Sequence, residues 1–166
     1  MRLPALFACS VVICCLALPA RPPEAVAAGV RLDSTERKVI RLVNQIRARH
    51  GLRRLRVSPA LARAAGVHST DMLRGGFFGH ASGDGTPMST RVKRYTKARW
   101  VGENLAIVTR RRRGGASRVV KMWMNSPGHR RVMLARNSRR IGVGKCTGRI
   151  GSVSAAVFTA DFASGS

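Results

Sequence analysis

Acidic side chains are scarce in this sequence. Its 166 residues include 7 Asp and Glu against 31 Lys and Arg, so the formal net charge is +24. Aromatic residues make up 5 %, and 4 cysteines are too few for a disulfide scaffold. No segment offers the roughly 20 uninterrupted apolar residues of a membrane span. Hydrophobic residues nevertheless reach 45 %, so the chain can bury a core, and its length suits about one domain.

The N-terminal residues have the pattern of a secretory signal peptide. Met1-Arg2 supplies a positive start, Leu3–Leu18 is largely apolar, and Ala25–Ala27 has the small-x-small pattern of a cleavage site. An uncleaved anchor helix is the alternative, which the shortness of the apolar run disfavours. The predicted division is a signal peptide over residues 1–27, a lead-in over 28–35 and a single domain over 36–163.

The placement of the cysteines agrees with export. Cys9, Cys14 and Cys15 fall inside the predicted signal peptide, which leaves Cys146 alone and no internal disulfide. A domain of this size can fold without disulfides, since it buries roughly two thirds of its surface. We therefore predict a secreted protein, either released or associated with the cell envelope.

The predicted mature chain is strongly basic. Residues 28–166 carry 29 basic and 6 acidic side chains, a formal charge of +23. Such a charge attracts wall polymers, anionic lipid or nucleic acid, although an arginine-rich composition with a solvated surface gives the same count. Nucleic acid is disfavoured, because no helix-turn-helix or RNP pattern accompanies the charge. The clearest basic run, Arg110–Arg113, is followed by two glycines and is predicted to be an exposed loop.

Helix signals dominate the first half of the domain. Asp33 and Glu36 have the spacing of a capping box, before a helix that ends at Gly51. Ser58-Pro59 begins a second helix, which Gly75-Gly76 ends. The elements predicted next are a loop over residues 77–88 and one or two helical turns over 90–95.

The second half mixes helices and strands. Val119–Trp123 indicates a third helix, and Ser126-Pro127 begins a short fourth one. Ile141 and Val143 alternate with glycines, as is typical of a strand. The remaining predictions are an extended segment over 101–108, a turn over 148–151 and a closing antiparallel strand over 153–162. This order predicts an α+β fold.

Three residues combine suitable chemistry with an unusual setting. His80 stands in a glycine-rich loop after two aromatic residues, and Glu103 is a carboxylate among apolar neighbours. His129 falls in the first turn of a helix, where the dipole disfavours an imidazolium. Two imidazoles and a carboxylate would suit Zn, with His80 and His129 as metal ligands. Their wide separation gives no ligand spacing, so a buried hydrogen-bond cluster explains them equally well.

Other polar residues are predicted to support this group. His68 lies on the apolar face of the second helix, with Asp71 three residues on to hold its ring nitrogen. Asn104 and Ser126 adjoin the other two segments. The sequence has no Walker-type phosphate loop and no G-x-S-x-G elbow, and Cys146 has no nearby histidine to activate it.

Eight segments carry motifs that are known together, in this order, from one superfamily. They are Leu42–Gly51, Ser58–Ala62, His68–Met72, Phe77–His80, Asp84–Pro87, Gly102–Ala106, Trp123–Arg130 and Ile141–Gly144. The ordered set resembles the bacterial CAP superfamily, also called the SCP-like extracellular domain, which includes cysteine-rich secretory proteins, antigen 5 and pathogenesis-related 1 proteins. The resemblance covers residues 36–163.

The resemblance implies an α-β-α sandwich with a cleft lined by histidines and acids, which binds a divalent metal in some members. His80 and Glu103 match the cleft His and Glu, and His129 matches the histidine of the bacterial Ser-Pro-Gly-His segment. The last motif departs from the family pattern. Ala160 replaces a usual Gln, no second cleft histidine occurs there, and Asp161 would compensate only if its strand phase turned it inward.

We therefore predict a secreted CAP-domain protein that acts as an extracellular ligand-binding or interaction module through a His/Glu cleft. One alternative is a metal-assisted hydrolase, in which His80 and His129 hold Zn and Glu103 acts as base on bound water. Another is an electrostatic binder of cell-wall, membrane or nucleic-acid polyanions. The departure in the last motif favours binding over catalysis.

Overall fold

The structure is a computed structural model that describes residues 30–109, 115–150 and 152–165. The predicted signal peptide and the arginine run Arg110–Arg113 lie outside these residues. Within them, the helices and strands in chain order are α1 (Ser34–Arg49), β1 (Arg56–Val57), α2 (Pro59–Gly75), α3 (Met88–Lys93), β2 (Val101–Thr109), α4 (Gly115–Asn125), α5 (Pro127–Met133), β3 (Ser138–Ile150) and β4 (Val153–Ser164).

The helix boundaries follow the capping signals. The Asp33 side chain accepts from the Glu36 N–H and the Glu36 side chain from the Asp33 N–H, both at 2.7 Å. Each bond satisfies a donor that the helix itself leaves unpaired. Ser58 caps α2, which ends at Gly76 in the left-handed conformation with φ of 65°. Both predicted helix starts are confirmed.

The strands form one sheet in the order β1-β3-β4-β2. β4 pairs antiparallel with both β3 and β2, whereas β1 pairs parallel with β3. The turn predicted over 148–151 is wrong in extent, because β3 continues to Ile150 and Gly148 is paired with Ala155. The predicted closing strand is confirmed and extends to Ser164.

Alternating side chains of β4 separate two layers. Phe158 and Phe162 pack with α1, α4 and α5 in the main core. Val157, on the opposite face, packs with Met72 of α2. Since successive strand residues point to opposite faces, α1, α4 and α5 cover one side of the sheet and α2 and α3 the other. This layering confirms the predicted α-β-α sandwich.

Helix α2 lies directly against the backbone of β3. A Cβ atom on Gly142 would lie 2.1 Å from the backbone nitrogen of Ala62, and one on Gly144 would lie 2.1 Å from that of Gly66. Gly142 and Gly144 therefore face α2 and allow its close approach, while the side chains of Ile141 and Val143 enter the main core.

A buried arginine joins α1 to the segment after α5. The fully buried Arg47 donates from Nη1 to the carbonyls of Met133 at 2.7 Å and Ala135 at 3.1 Å. The last carbonyls of a helix lack partners within the helix, so a guanidinium is well placed there. Its Nε donates to the Arg53 carbonyl at 3.0 Å. One side chain thus fixes two chain segments that the sequence separates widely.

Replacing Gly142 by Ala should lower the free energy of unfolding by about 1–3 kcal/mol, because the added methyl group must separate α2 from β3. Chemical denaturation measures this loss. Gly66→Ala is the matched control in α2, since its Cβ would meet nothing within 4 Å. That variant should be as stable as the wild type or more so, as Ala favours a helix over Gly. Equal stability of Gly142→Ala and wild type would contradict the backbone contact.

Candidate functional site

Glu103 is the centre of a buried polar cluster at the β2 edge of the sheet. Its side chain is 0 % exposed and faces the α2 and α3 layer. His80 Nδ1 donates to Glu103 Oε1 at 2.8 Å, and Arg91 Nη2 donates to Oε2. Both carboxylate oxygens therefore have charged or polar partners, which a buried carboxylate requires.

Arg91 connects this carboxylate to the loop that carries His80. It extends from α3, is 5 % exposed, and donates from Nη1 to the His80 carbonyl at 2.8 Å. The same guanidinium thus binds the Glu103 side chain and the main chain of its other partner. Arg91 could not be recognised from the sequence, because nothing in its local pattern distinguishes it from the many surface arginines.

His68 holds the other side of the same loop. Its Nε2 is 2.9 Å from the carbonyl oxygen of Gly79 and 4.0 Å from Glu103 Oε2. Burial lowers the pKa of His68, which favours the neutral ring. Because the Gly79 carbonyl can only accept, the proton of this ring lies on Nε2, which donates it to the carbonyl. The predicted contact with Asp71 is wrong. Asp71 is exposed and lines a separate hollow with Arg74, while His68 Nδ1 has no partner in the part of the chain described.

Asp161 lies beside Glu103 on the neighbouring strand. The two residues are direct partners in the β2–β4 register, so their side chains share one face of the sheet. Asp161 is 0 % exposed, and neither carboxyl oxygen accepts a hydrogen bond from a described residue. Burial raises the pKa of Asp161 well above its usual value, and the charge of Glu103 raises it further. Both effects favour the protonated form of Asp161 over the charged one.

His129 approaches from the opposite face of the sheet. Asn104 points toward α5 and donates from Nδ2 to the His129 carbonyl at 3.0 Å, which fixes the first turn of that helix. The ring of His129 is partly buried, and burial followed by the charge of His80 lowers its pKa. Ser126 occupies the N-cap position of α5 without a capping hydrogen bond from its side chain.

The cluster does not fit the three-ligand zinc set considered from the sequence. Over residues 30–109, 115–150 and 152–165, no group of three or more His, Cys, Asp and Glu side chains is arranged to hold a metal ion. Glu103 is already bound by His80 and by the positive charge of Arg91, which takes the place that a cation would need beside the carboxylate. A two-histidine site at His80 and His129 stays a prediction.

A groove of about 440 Å³ lies beside the start of β2 and brings the cluster to the surface. Its polar lining residues are His80, Glu103 and Arg131, and its other lining residues are Met88, Trp100, Val101, Gly102, Val132 and Ala135. Gly102 allows Trp100 and Val132 to pack close to the backbone of β2, because a Cβ there would lie 2.9 Å from the Trp100 ring and 3.0 Å from Val132. We call this groove the cleft.

The fold is that of a known class. The Cysteine-rich secretory protein (CAP) family matches residues 40–162, so the chain belongs to this family and the resemblance inferred from its motifs is confirmed. No helix among the described residues is both long and apolar enough to span a bilayer.

Relatives in bacteria support the same assignment. The protein YkwD of Bacillus subtilis is 36 % identical over 114 residues, and the membrane protein YlbC of the same organism is 30 % identical over 112. The matched region covers 68 % and 67 % of this chain but only 43 % and 31 % of those proteins, so both are much longer.

Solved structures share the fold. An extracellular protein with an SCP domain from Bacillus anthracis has a TM-score of 0.64 at 26 % identity, covering 79 % of this chain and 40 % of that one. An outer surface protein of Borrelia burgdorferi has a TM-score of 0.68 at 19 % identity, covering 83 % and 99 %. The second likeness is one of fold alone.

Arg91→Met should lower the free energy of unfolding by about 3–5 kcal/mol, because it removes the charged partner of a buried carboxylate. Arg94→Met is the matched control, since Arg94 directly follows Lys93 at the end of the same helix and is exposed. It should change stability by no more than about 0.5 kcal/mol. Urea denaturation compares the two, and equal effects would show that Arg91 is not a specific partner of Glu103.

Asp161→Asn tests the buried proton through the pH dependence of stability. In the unfolded chain this carboxyl ionises near its ordinary pKa of 3.8, whereas burial in the folded protein raises its pKa well above that value. Its stabilising contribution is therefore complete below that pH and is lost as the pH rises toward the folded pKa. As the pH rises above about 5, the wild type should lose stability relative to Asp161→Asn.

The exposed Asp84 supplies a control of opposite sign for this experiment. Hydrogen bonds from Thr86 lower the pKa of Asp84, so its contribution is lost only as the pH falls below its ordinary value of 3.8. The difference between wild type and Asp84→Asn should stay constant over the same range. A constant difference for Asp161→Asn as well would contradict a proton held on Asp161.

Proposed function

We propose that this chain is an extracellular ligand-binding module whose cleft takes an amphipathic molecule. The observation that carries the proposal is that both oxygens of the Glu103 carboxylate are bound by other side chains of the protein. His80 binds one of these oxygens and Arg91 binds the other, so the carboxylate holds the site together instead of acting on a reactant. A general base must be free to reach the proton that it removes.

The lining of the cleft supports a ligand with an apolar body and an anionic head. Most lining residues offer carbon surface, while His80 and Arg131 are the polar side chains nearest to solvent. The His80 side chain is 55 % exposed, although its Nδ1 is bound to Glu103. The Arg131 guanidinium is suited to an anionic head, and the strong net positive charge would attract one.

Two features support action outside the cell. The pattern over residues 1–27 is that of a signal peptide, and the similar Bacillus anthracis protein is described as extracellular. Association with the cell envelope, through its polymers or through anionic lipid, belongs to the same proposal.

Calorimetric titration with decanoate, which has a carboxylate head and an apolar chain, tests the proposed ligand class. The purified protein should bind it saturably, and Ala135→Phe, which fills the cleft, should weaken binding by about tenfold or more. His80→Ala should weaken it too, because the imidazole ring forms part of the cleft wall. His50→Ala is the matched control, because His50 is exposed at the end of α1 and does not line the cleft.

The outcomes of the titration are distinct. Binding that is lost in Ala135→Phe and kept in His50→Ala would support the cleft as the ligand site. Binding that is unchanged in Ala135→Phe, or no binding by the wild type at millimolar decanoate, would contradict the proposal.

A metal-assisted hydrolase is the second candidate. It is favoured by the lowered pKa of His129, which keeps a neutral imidazole near the exposed His80. It is disfavoured by the engagement of Glu103 with Arg91. Titration with Zn in a calorimeter separates the two. Saturable binding that is lost in both His80→Ala and His129→Ala, but kept in His50→Ala, would justify a search for hydrolysis, and no binding at micromolar Zn would end it.

A further inference from the structure

A second concave site lies at the edge of the sheet opposite the cleft. It encloses about 390 Å³ beside β1, and the residues that line it are Arg53, Arg54, Arg56, Arg139, Arg140 and Gly165. No carboxylate is among these lining residues. The order β1-β3-β4-β2 places three strand spacings, about 14 Å, between this site and the β2 edge. We call it the arginine pocket.

The sheet itself brings two of the arginines together. Arg56 of β1 and Arg140 of β3 are direct partners in the parallel register, so their side chains leave the same face of neighbouring strands. Like charges at directly opposed positions destabilise a sheet. The register nevertheless places these two guanidinium groups on one face at this edge of the sheet.

The main chain beneath the pocket is held in place by buried side chains. The Arg53 carbonyl accepts from Arg47 Nε at 3.0 Å. Asn44, also from α1, accepts from the Leu55 N–H at 2.7 Å and donates to the Leu55 carbonyl at 3.1 Å. These contacts fix the backbone while the Arg54 and Arg56 side chains remain exposed. The pocket is therefore a formed feature and not a chance grouping on a loose loop.

The positive surface continues beyond the arginine pocket. An adjoining hollow of about 490 Å³ shares Arg140 and is also lined by Lys93, Arg94 and Lys97. Among the residues that the structure describes, eight basic ones line the two hollows, including the five arginines of the first pocket, and no Asp or Glu does. A ligand with several linked anionic groups would contact both.

We propose that the arginine pocket binds the phosphate groups of a phosphate-containing polyanion. Every charged residue that lines it is Arg, whose planar guanidinium forms paired hydrogen bonds with phosphate oxygens, whereas Lys acts as a point charge. The phosphate groups belong either to a soluble chain or to lipid head groups. The proposal is independent of the cleft, since the two share no lining residue.

Calorimetric titration with inorganic tripolyphosphate at about 150 mM salt tests the pocket under physiological screening. The test variant is the double substitution Arg54→Gln and Arg56→Gln. The matched control is Arg41→Gln with Arg118→Gln, which removes the same charge from exposed positions on α1 and α4. The pocket variant should bind about tenfold more weakly or worse, and the control should bind like the wild type.

Two results would overturn the proposal. Equal weakening in both double variants would mean that overall charge, and not the pocket, attracts the anion. Absence of saturable binding by the wild type at millimolar tripolyphosphate would mean that no phosphate site exists. Thermal unfolding of each variant shows that the comparison is made between folded proteins.

Sedimentation with vesicles distinguishes the two phosphate sources. Phosphatidylcholine vesicles with and without phosphatidylglycerol are compared for the same proteins. Vesicle binding that needs phosphatidylglycerol and fails in the pocket variant would support lipid head groups as the source. Tripolyphosphate binding by the pocket without vesicle binding would support a soluble phosphate chain. Failure of decanoate to bind the cleft would leave all of these results unaffected.

Discussion

The buried ion pair between Glu103 and Arg91 is the contact on which the site depends. A carboxylate in the interior of a protein is costly unless charged and hydrogen-bonded partners surround it. Arg91 supplies the charge and His80 a hydrogen bond. Because Arg91 also binds the His80 carbonyl, loss of this one guanidinium would release both the carboxylate and the loop that forms a wall of the cleft.

Packing far from the cleft places the partners of that ion pair. The close approach of α2 to Gly142 and Gly144 brings the buried face of the helix within hydrogen-bond reach of the sheet. Ser69 donates to the Gly144 carbonyl at 3.1 Å, and the adjacent His68 contacts the loop next to Glu103. A bulkier residue in β3 would lift the helix and with it His68. The glycines therefore contribute to the site without touching it.

The parts of the fold that local signals determine could be predicted from the sequence. Asp33 and Ser58 begin helices because their side chains cap them, and the alternation after Ile141 is that of a strand. His80 and Glu103 stand out because their neighbours make a polar side chain unusual. Such evidence needs only a few adjacent residues. The structure has both helix starts and the strand, and it places His80 in hydrogen-bond contact with Glu103.

Other parts of the site depend on contacts between distant segments. Asp161 could be assigned to the Glu103 side only from the register of β4 with β2. Arg91 is one of 31 basic residues, and its buried contact with Glu103 becomes evident only in the folded protein. Spacing along a helix allowed Asp71 to contact His68, yet the direction in which α2 faces the sheet turns Asp71 to solvent. In each case tertiary packing decided among possibilities that the local sequence left open.

A double-mutant cycle between Arg91→Met and Glu103→Gln tests the central claim most directly. Unfolding free energies of the wild type, the two single variants and the double variant give the coupling energy between the two side chains. Dependence of the site on the ion pair predicts a favourable coupling of about 2 kcal/mol or more. Effects that add to within about 0.5 kcal/mol would contradict it, because the two groups would then act independently.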